Sequence, residues 1–332
     1  MSRFHFYSMS SFDAGHLISL SKQINPFLGL FFYVSGVLSN ILCSLIFISF
    51  KRWKTNPSII YMLLSFISNL VIFNVSFLSR FVLPNFNLDP ATSSLAWCKL
   101  RQYLGHSATI ISLFCTAWAM VDQYLSTSAN IRVRQFSSMK TARYFILITI
   151  LLSFFQSIPA IIYNRISTSQ ITNVTSCSLA SNAIYATYVA YFVTPLLLGI
   201  IPTSIMIVFA ILTYTNVNHL HHLQIRTQVQ QQLTKMISIQ SVLVLISVTI
   251  YTVQIIYSLV TASISKSSYR LAAENFAFMF TGNFGYIGYS CSFYIYMLVS
   301  PSVRKQFRNL IRKLFHYISC RYYCNTRLID IV

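Results

Sequence analysis

The charged residues of this chain are grouped in short clusters separated by long uncharged runs, and this pattern constrains the fold more than any motif. Charged side chains make up 9% of the 332 positions and apolar ones 55%. A soluble surface cannot be built from so few charges. A helix of about 20 apolar residues spans the hydrocarbon layer of a bilayer. The uncharged runs cover residues 23–50, 55–79, 102–121, 144–164, 166–225, 236–265 and 275–303.

Seven membrane-spanning helices fit these runs. The fifth run is too long for one helix, and its start, residues 167–182, is rich in Ser, Thr and Asn, which predicts a loop. We therefore predict an all-α fold, a seven-transmembrane helix bundle over residues 27–300. A short, mobile extracellular tail, residues 1–26, would precede it. An amphipathic helix over 301–318 and a cytoplasmic tail over 319–332 would follow.

The distribution of basic residues predicts the orientation, because cytoplasmic loops are enriched in Lys and Arg. With the N-terminus outside and the C-terminus inside, two thirds of the 24 Lys and Arg residues fall on the inner side. Asn173-Val174-Thr175 is a glycosylation sequon in a loop that this topology places outside. A second sequon, at Asn74, lies within the second predicted span, where we expect no glycan.

The net charge of +19 raises the alternative of a nucleic-acid-binding protein. In a membrane protein with this topology, however, most of the basic residues face the cytosol. Anionic lipids and cytosolic proteins are then the expected partners, and nucleic acid is not.

Cysteine positions predict one disulfide. Cys43, Cys115 and Cys291 fall inside predicted spans, whereas Cys98 and Cys177 both lie on the outer side. The extracellular environment permits oxidation, so we expect Cys98 and Cys177 to pair. The alternative is that both remain unpaired thiols.

Two asparagines stand inside predicted spans, Asn40 in the first and Asn69 in the second. A polar side chain in lipid needs a hydrogen-bond partner, so we expect these two to bond to each other. Such a pair can be purely structural, or it can belong to a polar core that rearranges on activation.

The order of several short motifs resembles that of the rhodopsin-like (class A) G-protein-coupled receptors over nearly the full chain. The resemblance is carried by residues 36–40 in the first span, Cys98 and Cys177, Asp122-Gln123-Tyr124 at the inner end of the third, Pro202 in the fifth and residues 292–296 in the seventh. It implies a plasma-membrane receptor that binds an extracellular small-molecule or peptide ligand and signals to a heterotrimeric G protein. It also implies roles in coupling for Asp122, Gln123, Tyr124 and Tyr296, and a polar core of Asn40, Asn69 and Ser292.

The chain departs from the family pattern at the residues that carry charge. Gln123 replaces the arginine of the family triplet, and Asn69 replaces an acidic residue of the second helix. The sixth span lacks the family Trp and Pro, and Ser292-Phe293 stands where the seventh has Asn-Pro. These changes make the chain most similar to divergent invertebrate orphan receptors, including those related to FMRFamide-type peptide receptors.

At the inner end of the third span, Asp122 needs a partner other than the missing arginine. We expect Arg132, Arg134 or a neighbouring backbone group to serve. Gln123 can still form uncharged hydrogen bonds to the sixth helix, which we expect to extend into the cytosol through residues 228–235.

A ligand pocket is expected between the outer halves of the helices. Polar side chains inside membrane spans are costly, so those found there are candidates for contact with a ligand. His106 and Thr109 are one turn apart and face the same way. The full predicted set, each member of which can instead be a structural contact, is His106, Thr109, Tyr191, Thr194, Tyr251, Gln254 and Tyr286. Gly105 stands where amine receptors carry an acid, so an uncharged, tyrosine-rich pocket for an aromatic or amidated peptide is favoured.

Other classes of protein find less support in the sequence. The acidic residues are scattered, and no Ser-His-Asp set, phosphate-binding loop or metal-ligand spacing is present, so we expect neither an enzyme nor a cofactor or metal site. A transporter or channel, or a seven-helix chemosensory receptor without conventional G-protein coupling, remains the alternative. Transporters usually carry intramembrane charges or internal repeats, which this sequence does not.

The segment after Pro301 is predicted to lie in the inner membrane interface. Its apolar residues recur at helical spacing, and cations fill much of the remaining surface; the apolar set is Phe307, Leu310, Ile311, Leu314 and Phe315. Cys320 and Cys324 follow at a position where cysteines are often palmitoylated. The alternative is that they are free thiols.

Glycosylation mapping tests the predicted topology. We expect Asn173→Gln to abolish the glycosidase-sensitive mobility shift of the expressed protein, whereas Asn74→Gln leaves the shift unchanged. A C-terminal epitope labelled from outside intact cells, with glycan at neither site, would invert the topology.

Overall fold

The structure is a computed structural model that describes residues 2–50, 54–86, 88–168, 175–179, 183–221, 228–261, 264, 266–313 and 315. Helices dominate, which confirms the all-α class. The α-helices are α1 (Ser2–Ser49), α2 (Pro57–Val71), α3 (Pro90–Ser93), α4 (Leu95–Thr127), α5 (Ile131–Gln135), α6 (Met139–Tyr163), α7 (Ala183–Tyr188), α8 (Ile201–His221), α9 (Gln228–Val260), α10 (Ser268–Gly285), α11 (Ile287–Ser290), α12 (Ser292–Val299) and α13 (residues 301–313).

Two π-helical segments continue α-helices without a break, the first after α2 and the second after α7; they are Ile72–Val82 and Val189–Ile200. The second contains Pro195, which lacks the N–H of an ordinary helical residue and clashes with the preceding turn. A 3₁₀ turn, Leu83–Phe86, follows the first segment.

Among the described residues, six helical stretches are long and apolar enough to cross a membrane, so the chain is a multi-pass membrane protein. They are Gly15–Ser49, Pro57–Val82, Leu95–Thr127, Met139–Tyr163, Tyr191–Val217 and Gln231–Ser258, and each overlaps one of the first six predicted runs. The seventh predicted run is divided among α10, α11 and α12 by breaks at Tyr286 and Cys291. The described chain therefore has six continuous helices of spanning length and one interrupted helical stretch.

The sequence explains where several of these helices begin. The side chain of Asn56 accepts the Ser58 N–H at 3.1 Å, and Pro57 occupies the first turn of α2. Ser94 and Ser138 cap α4 and α6 in the same way. These residue types satisfy the free N–H groups of a first helical turn, which fixes the helix start.

Parts of two segments predicted to be irregular have regular secondary structure. Residues 2–26, predicted to be a mobile tail, continue α1, and the Asn25 side chain donates to Ser21 Oγ at 2.8 Å just before Pro26. Within the predicted loop 167–182, strand β2 (Thr175–Leu179) pairs antiparallel with β1 (Asn164–Thr168). Threonine favours strands as well as loops, so composition alone does not distinguish the two.

Helix α4 is the centre of the bundle. It packs against α2, α6, α8 and α9 and is the most buried of the six spanning helices. Large apolar side chains project from the outer faces of the surrounding helices, among them Phe31, Leu151, Phe155 and Val253. This outward distribution of apolar surface is that of a protein solvated by lipid.

Polar side chains connect the middle of the bundle. Asn69 Nδ2 donates to Asn40 Oδ1 at 3.0 Å, which confirms the predicted pair, and Ser112 Oγ donates to Asn69 Oδ1 at 2.5 Å. Asn40 Nδ2 donates to the Tyr289 carbonyl at 2.9 Å. Ser292, predicted to share this polar core, is buried, but its hydroxyl has no hydrogen-bond partner within the described chain.

The break around α11 is supported from α9. Gln240 Nε2 donates to the Gly288 carbonyl, and the Gly288 N–H donates to Ser247 Oγ at 3.0 Å. A Cβ at Gly288 would lie 2.7 Å from the Val244 Cα, so only glycine allows this approach. Because α9 supplies both partners, the interrupted stretch keeps its backbone groups satisfied inside the bundle.

The C-terminal helix is described only over residues 301–313, with Phe315 beyond it. Phe307, predicted to face lipid, is half-buried and packs against Phe293 with ring centroids 5.2 Å apart. Arg304 Nη1 donates to the Met297 and Leu298 carbonyls at 3.0 Å. The predicted Asn173, Leu314, Cys320 and Cys324 sites lie outside the described residues.

Close packing of α1 on the first π-helical segment gives a test of the fold. A methyl group at Gly36 would lie 2.3 Å from the ring of Phe73, which is completely buried. Overpacking of this kind costs about 1–3 kcal/mol, so we expect Gly36→Ala to lower the thermal midpoint of the purified protein. Gly15→Ala is the matched control, because nothing lies within 4 Å of a Cβ there. Equal midpoints for the two variants would contradict the packing of Phe73 on α1.

Candidate functional site

A cavity lies between the helices toward the end that carries Cys98 and Cys177, here called the disulfide end. It contains about 770 Å³ of empty space, including its open mouth. Its walls come from the first and second π-helical segments, α4, α9, α10 and the break before α11. Small-molecule sites are usually few per protein and mostly apolar.

Five of the seven predicted ligand residues line this cavity, namely His106, Thr109, Thr194, Tyr251 and Tyr286. The other two do not line it. Tyr191 is 64% exposed on the outer surface of the bundle. The Gln254 amide nitrogen is buried, without a hydrogen-bond partner among the described residues. The helical spacing of His106 and Thr109 thus correctly predicts that both face inward. The prediction for Tyr191 is wrong, because this residue lies in a π-helical segment, where successive residues point in different directions from those of an α-helix.

The sequence prediction missed the cationic residue of the cavity, Arg80. It was assigned to a loop because the uncharged run ends at Ser79. The π-helical segment instead continues through Val82, and Ile72, Ser76 and Arg80, four residues apart, line one wall. The Arg80 guanidinium lies 5.9 Å from the centre of the Phe278 ring. The expectation of an uncharged pocket is therefore wrong.

The acidic residues at the disulfide end whose side chains the structure describes are each paired with a cation. Glu274 binds Lys266 and accepts from Arg270 Nε at 3.0 Å. The hydrogen bond from Lys266, the largest contribution, holds the pKa of the Glu274 carboxyl below its usual range. Asp89 lies 3.8 Å from Arg101, whose Nη1 also donates to the Ser79 carbonyl.

The predicted disulfide is confirmed and joins the hairpin to the start of α4. Cys98 and Cys177 are bonded, with Cα atoms 5.7 Å apart. Cys177 belongs to β2, where it pairs with Ile166 of β1. The hairpin is thereby held at the disulfide end of the bundle.

The opposite end of α4, here called the triplet end, holds a buried cluster of polar groups around Asp122. Two hydroxyls donate to the carboxylate, Ser58 Oγ to Oδ2 and Ser137 Oγ to Oδ1, the second at 2.6 Å. Within the described residues Asp122 forms no ion pair with Arg132 or Arg134. The third expected partner, a backbone group, is present, because the backbone of Ser58 also hydrogen-bonds to the carboxylate. Arg134 lines an open cleft beside Asp122 instead. Hydroxyls from the start of α2 and the loop before α6 reach the carboxylate without a desolvated cation.

Gln123 forms the predicted uncharged bridge to α9. Its Oε1 accepts from Thr234 Oγ1 at 2.5 Å, and its Nε2 donates to Ser58 Oγ at 2.6 Å. Thr234 lies in the part of α9 that extends beyond the predicted span, as expected. One fully buried amide thus joins α2, α4 and α9.

The two tyrosines of the predicted coupling set occupy different environments. Tyr124 packs against Phe209 of α8, with ring centroids 5.4 Å apart. Tyr296 is completely buried between Phe47 and Phe66, and its hydroxyl has no hydrogen-bond partner among the described residues. Tyr296 therefore lies apart from the Gln123 bridge.

No three His, Cys, Asp or Glu side chains in the described ranges come together as a metal site. The comparisons with known proteins, by family models and by curated sequences, give no match for this chain. The cavity and the triplet-end cluster are therefore the candidate functional sites.

Ser58 bonds to both Asp122 and Gln123, so a substitution at Ser58 tests the hydrogen bonds of the triplet-end cluster. Ser58→Ala removes a donor from Asp122 and an acceptor from Gln123. A hydrogen bond to a charged group contributes about 1.5–3 kcal/mol, so we expect a clear fall in the thermal midpoint of the purified protein. Ser49→Ala is the control, since its exposed hydroxyl donates within its own helix to Leu45. A midpoint unchanged in both variants would contradict the Ser58 bonds.

Proposed function

We propose that the chain is a plasma-membrane receptor of the rhodopsin-like type, with its N-terminus outside and its C-terminus inside. In this proposal α10, α11 and α12 together form the seventh crossing of a seven-helix bundle. The disulfide end then faces the extracellular space, and the cavity is the ligand site. The triplet end faces the cytosol and couples to a heterotrimeric G protein.

One observation carries the proposal: α4 and α9 line the cavity and are also joined to each other at the triplet end. Tyr251 and Thr252 of α9 face the cavity together with His106 of α4. Some way along the same helices, Thr234 donates to Gln123. A ligand that moves α9 relative to α4 would therefore act on this bridge.

A screen in cultured cells tests the receptor function. Cells that express the chain are exposed to neuropeptide and small-molecule libraries while calcium and cyclic AMP are recorded. We expect at least one ligand to give a response that disappears in cells lacking Gα subunits. A ligand-dependent current or uptake that persists without Gα would instead favour a channel, a transporter or an uncoupled chemosensory receptor.

The bridge predicts the effect of one conservative substitution. Thr234→Val keeps the side-chain shape but removes the donor to Gln123. A net hydrogen bond contributes about 1 kcal/mol, so we expect ligand-free signalling, normalised to surface expression, to rise about fivefold. Thr215→Val is the control, because that exposed hydroxyl donates only locally, to the Leu212 carbonyl at 2.9 Å. Ligand-free signalling that stays equal to wild type would show that the bridge does not hold the resting state.

A further inference from the structure

We infer that the cavity takes a ligand with an apolar or aromatic body and a single anionic group, which pairs with Arg80. The inference rests on the proposed function in taking the cavity as the ligand site. It reverses the expectation from sequence of an amidated or aromatic peptide in an uncharged pocket.

Charge balance at the disulfide end supports an anion. Arg80 has no ion pair with any acid whose side chain the structure describes. Glu274 is engaged by Lys266 and Arg270, and Asp89 by Arg101. Asp122 lies at the other end of α4. A cation on the wall of a cavity is stabilised by a bound anion, whereas an amine would meet a like charge.

The position of Arg80 leaves its guanidinium available to the cavity. Arg80 lines the same wall as Ile72 and Ser76 and is exposed, and its guanidinium lies near the Phe278 ring. A planar guanidinium can bind carboxylate, sulfonate or phosphate through two parallel hydrogen bonds. The inferred ligand therefore places its acidic group at the Arg80 wall.

The rest of the lining fits an apolar or aromatic body. Ile72, Leu113, Leu198 and Val248 supply apolar surface, and the rings of Tyr251 and Tyr286 complete the walls. His106 and Gln102 add polar groups from α4. Apolar surface for the body of the ligand, combined with polar groups that fix its orientation, suits a small amphipathic acid.

Matched probes test the charge requirement on the full chain in nanodiscs of phosphatidylcholine, which carries no net charge. The probes are 3-phenylpropionate, decanoate, a panel of sulfonates and phosphates with similar bodies, and two non-anionic analogues, 3-phenylpropanamide and 3-phenylpropylamine. Ligand-induced shifts of the thermal midpoint give apparent dissociation constants. We expect at least one anion, and neither analogue, to stabilise the wild-type protein.

Variants assign the effect to Arg80. Arg80→Gln should weaken anion binding about tenfold or more, and Arg80→Lys should weaken it less. Arg80→Glu should lose the anion and gain stabilisation by 3-phenylpropylamine. Lys99→Gln, which removes a cation of α4 that does not line the cavity, is the control and should bind as wild type does.

Each outcome decides the inference. Stabilisation by decanoate alone supports it with a membrane-derived acid as ligand, and stabilisation by 3-phenylpropionate supports it with a water-soluble one. No shift with any anion, a stronger shift with the amide or amine, or an anion shift retained in Arg80→Gln overturns it. The assay contains no G protein, so a failure of the chain to couple would leave the inference about the anionic ligand standing. A signalling ligand without an acidic group would overturn this inference and leave the proposed receptor function standing.

Discussion

A hydrogen-bonding group inside a bilayer must find its partner within the protein, and in this chain that requirement converges on Asn69. Its amide donates to Asn40 of α1 and accepts from Ser112 of α4, and Asn40 in turn donates to the Tyr289 carbonyl of α11. Each such bond contributes about 1 kcal/mol in a membrane. Two linked side chains, Asn69 and Asn40, thus hold three continuous helices and the interrupted stretch in register.

At the triplet end the same requirement is met almost without charge. Gln123 uses both atoms of its amide, one toward Ser58 and one toward Thr234, and Asp122 is satisfied by hydroxyls. Neutral partners avoid the desolvation cost of a buried ion pair, but they also bind less strongly. In the proposed receptor, two conformations that differ by a few such bonds would differ little in free energy. A small difference in the affinity of the ligand for the two conformations would then be enough to shift the equilibrium between them.

Sequence reasoning succeeded where one physical rule acts alone. The first six spans follow from the cost of burying charge in lipid, and the Asn40–Asn69 bond follows from the cost of an unpaired amide. The gathering of five predicted residues in one cavity follows from the facing of helical positions. The breaks at Tyr286 and Cys291 could not be predicted this way, because composition measures polarity and does not report whether a helix is continuous.

The position of Arg80 shows the limit of the same rule. A span predicted from an uncharged run ends at the first charged residue. The prediction therefore places Arg80 outside the membrane, although its helix continues to Val82. A long side chain can hold its apolar stem along a helix while the charged head reaches a polar region some distance away. In this chain Arg80 lines the cavity. Composition places this residue at the end of a span, and its place on the cavity wall becomes visible only from the direction in which the helix turns it.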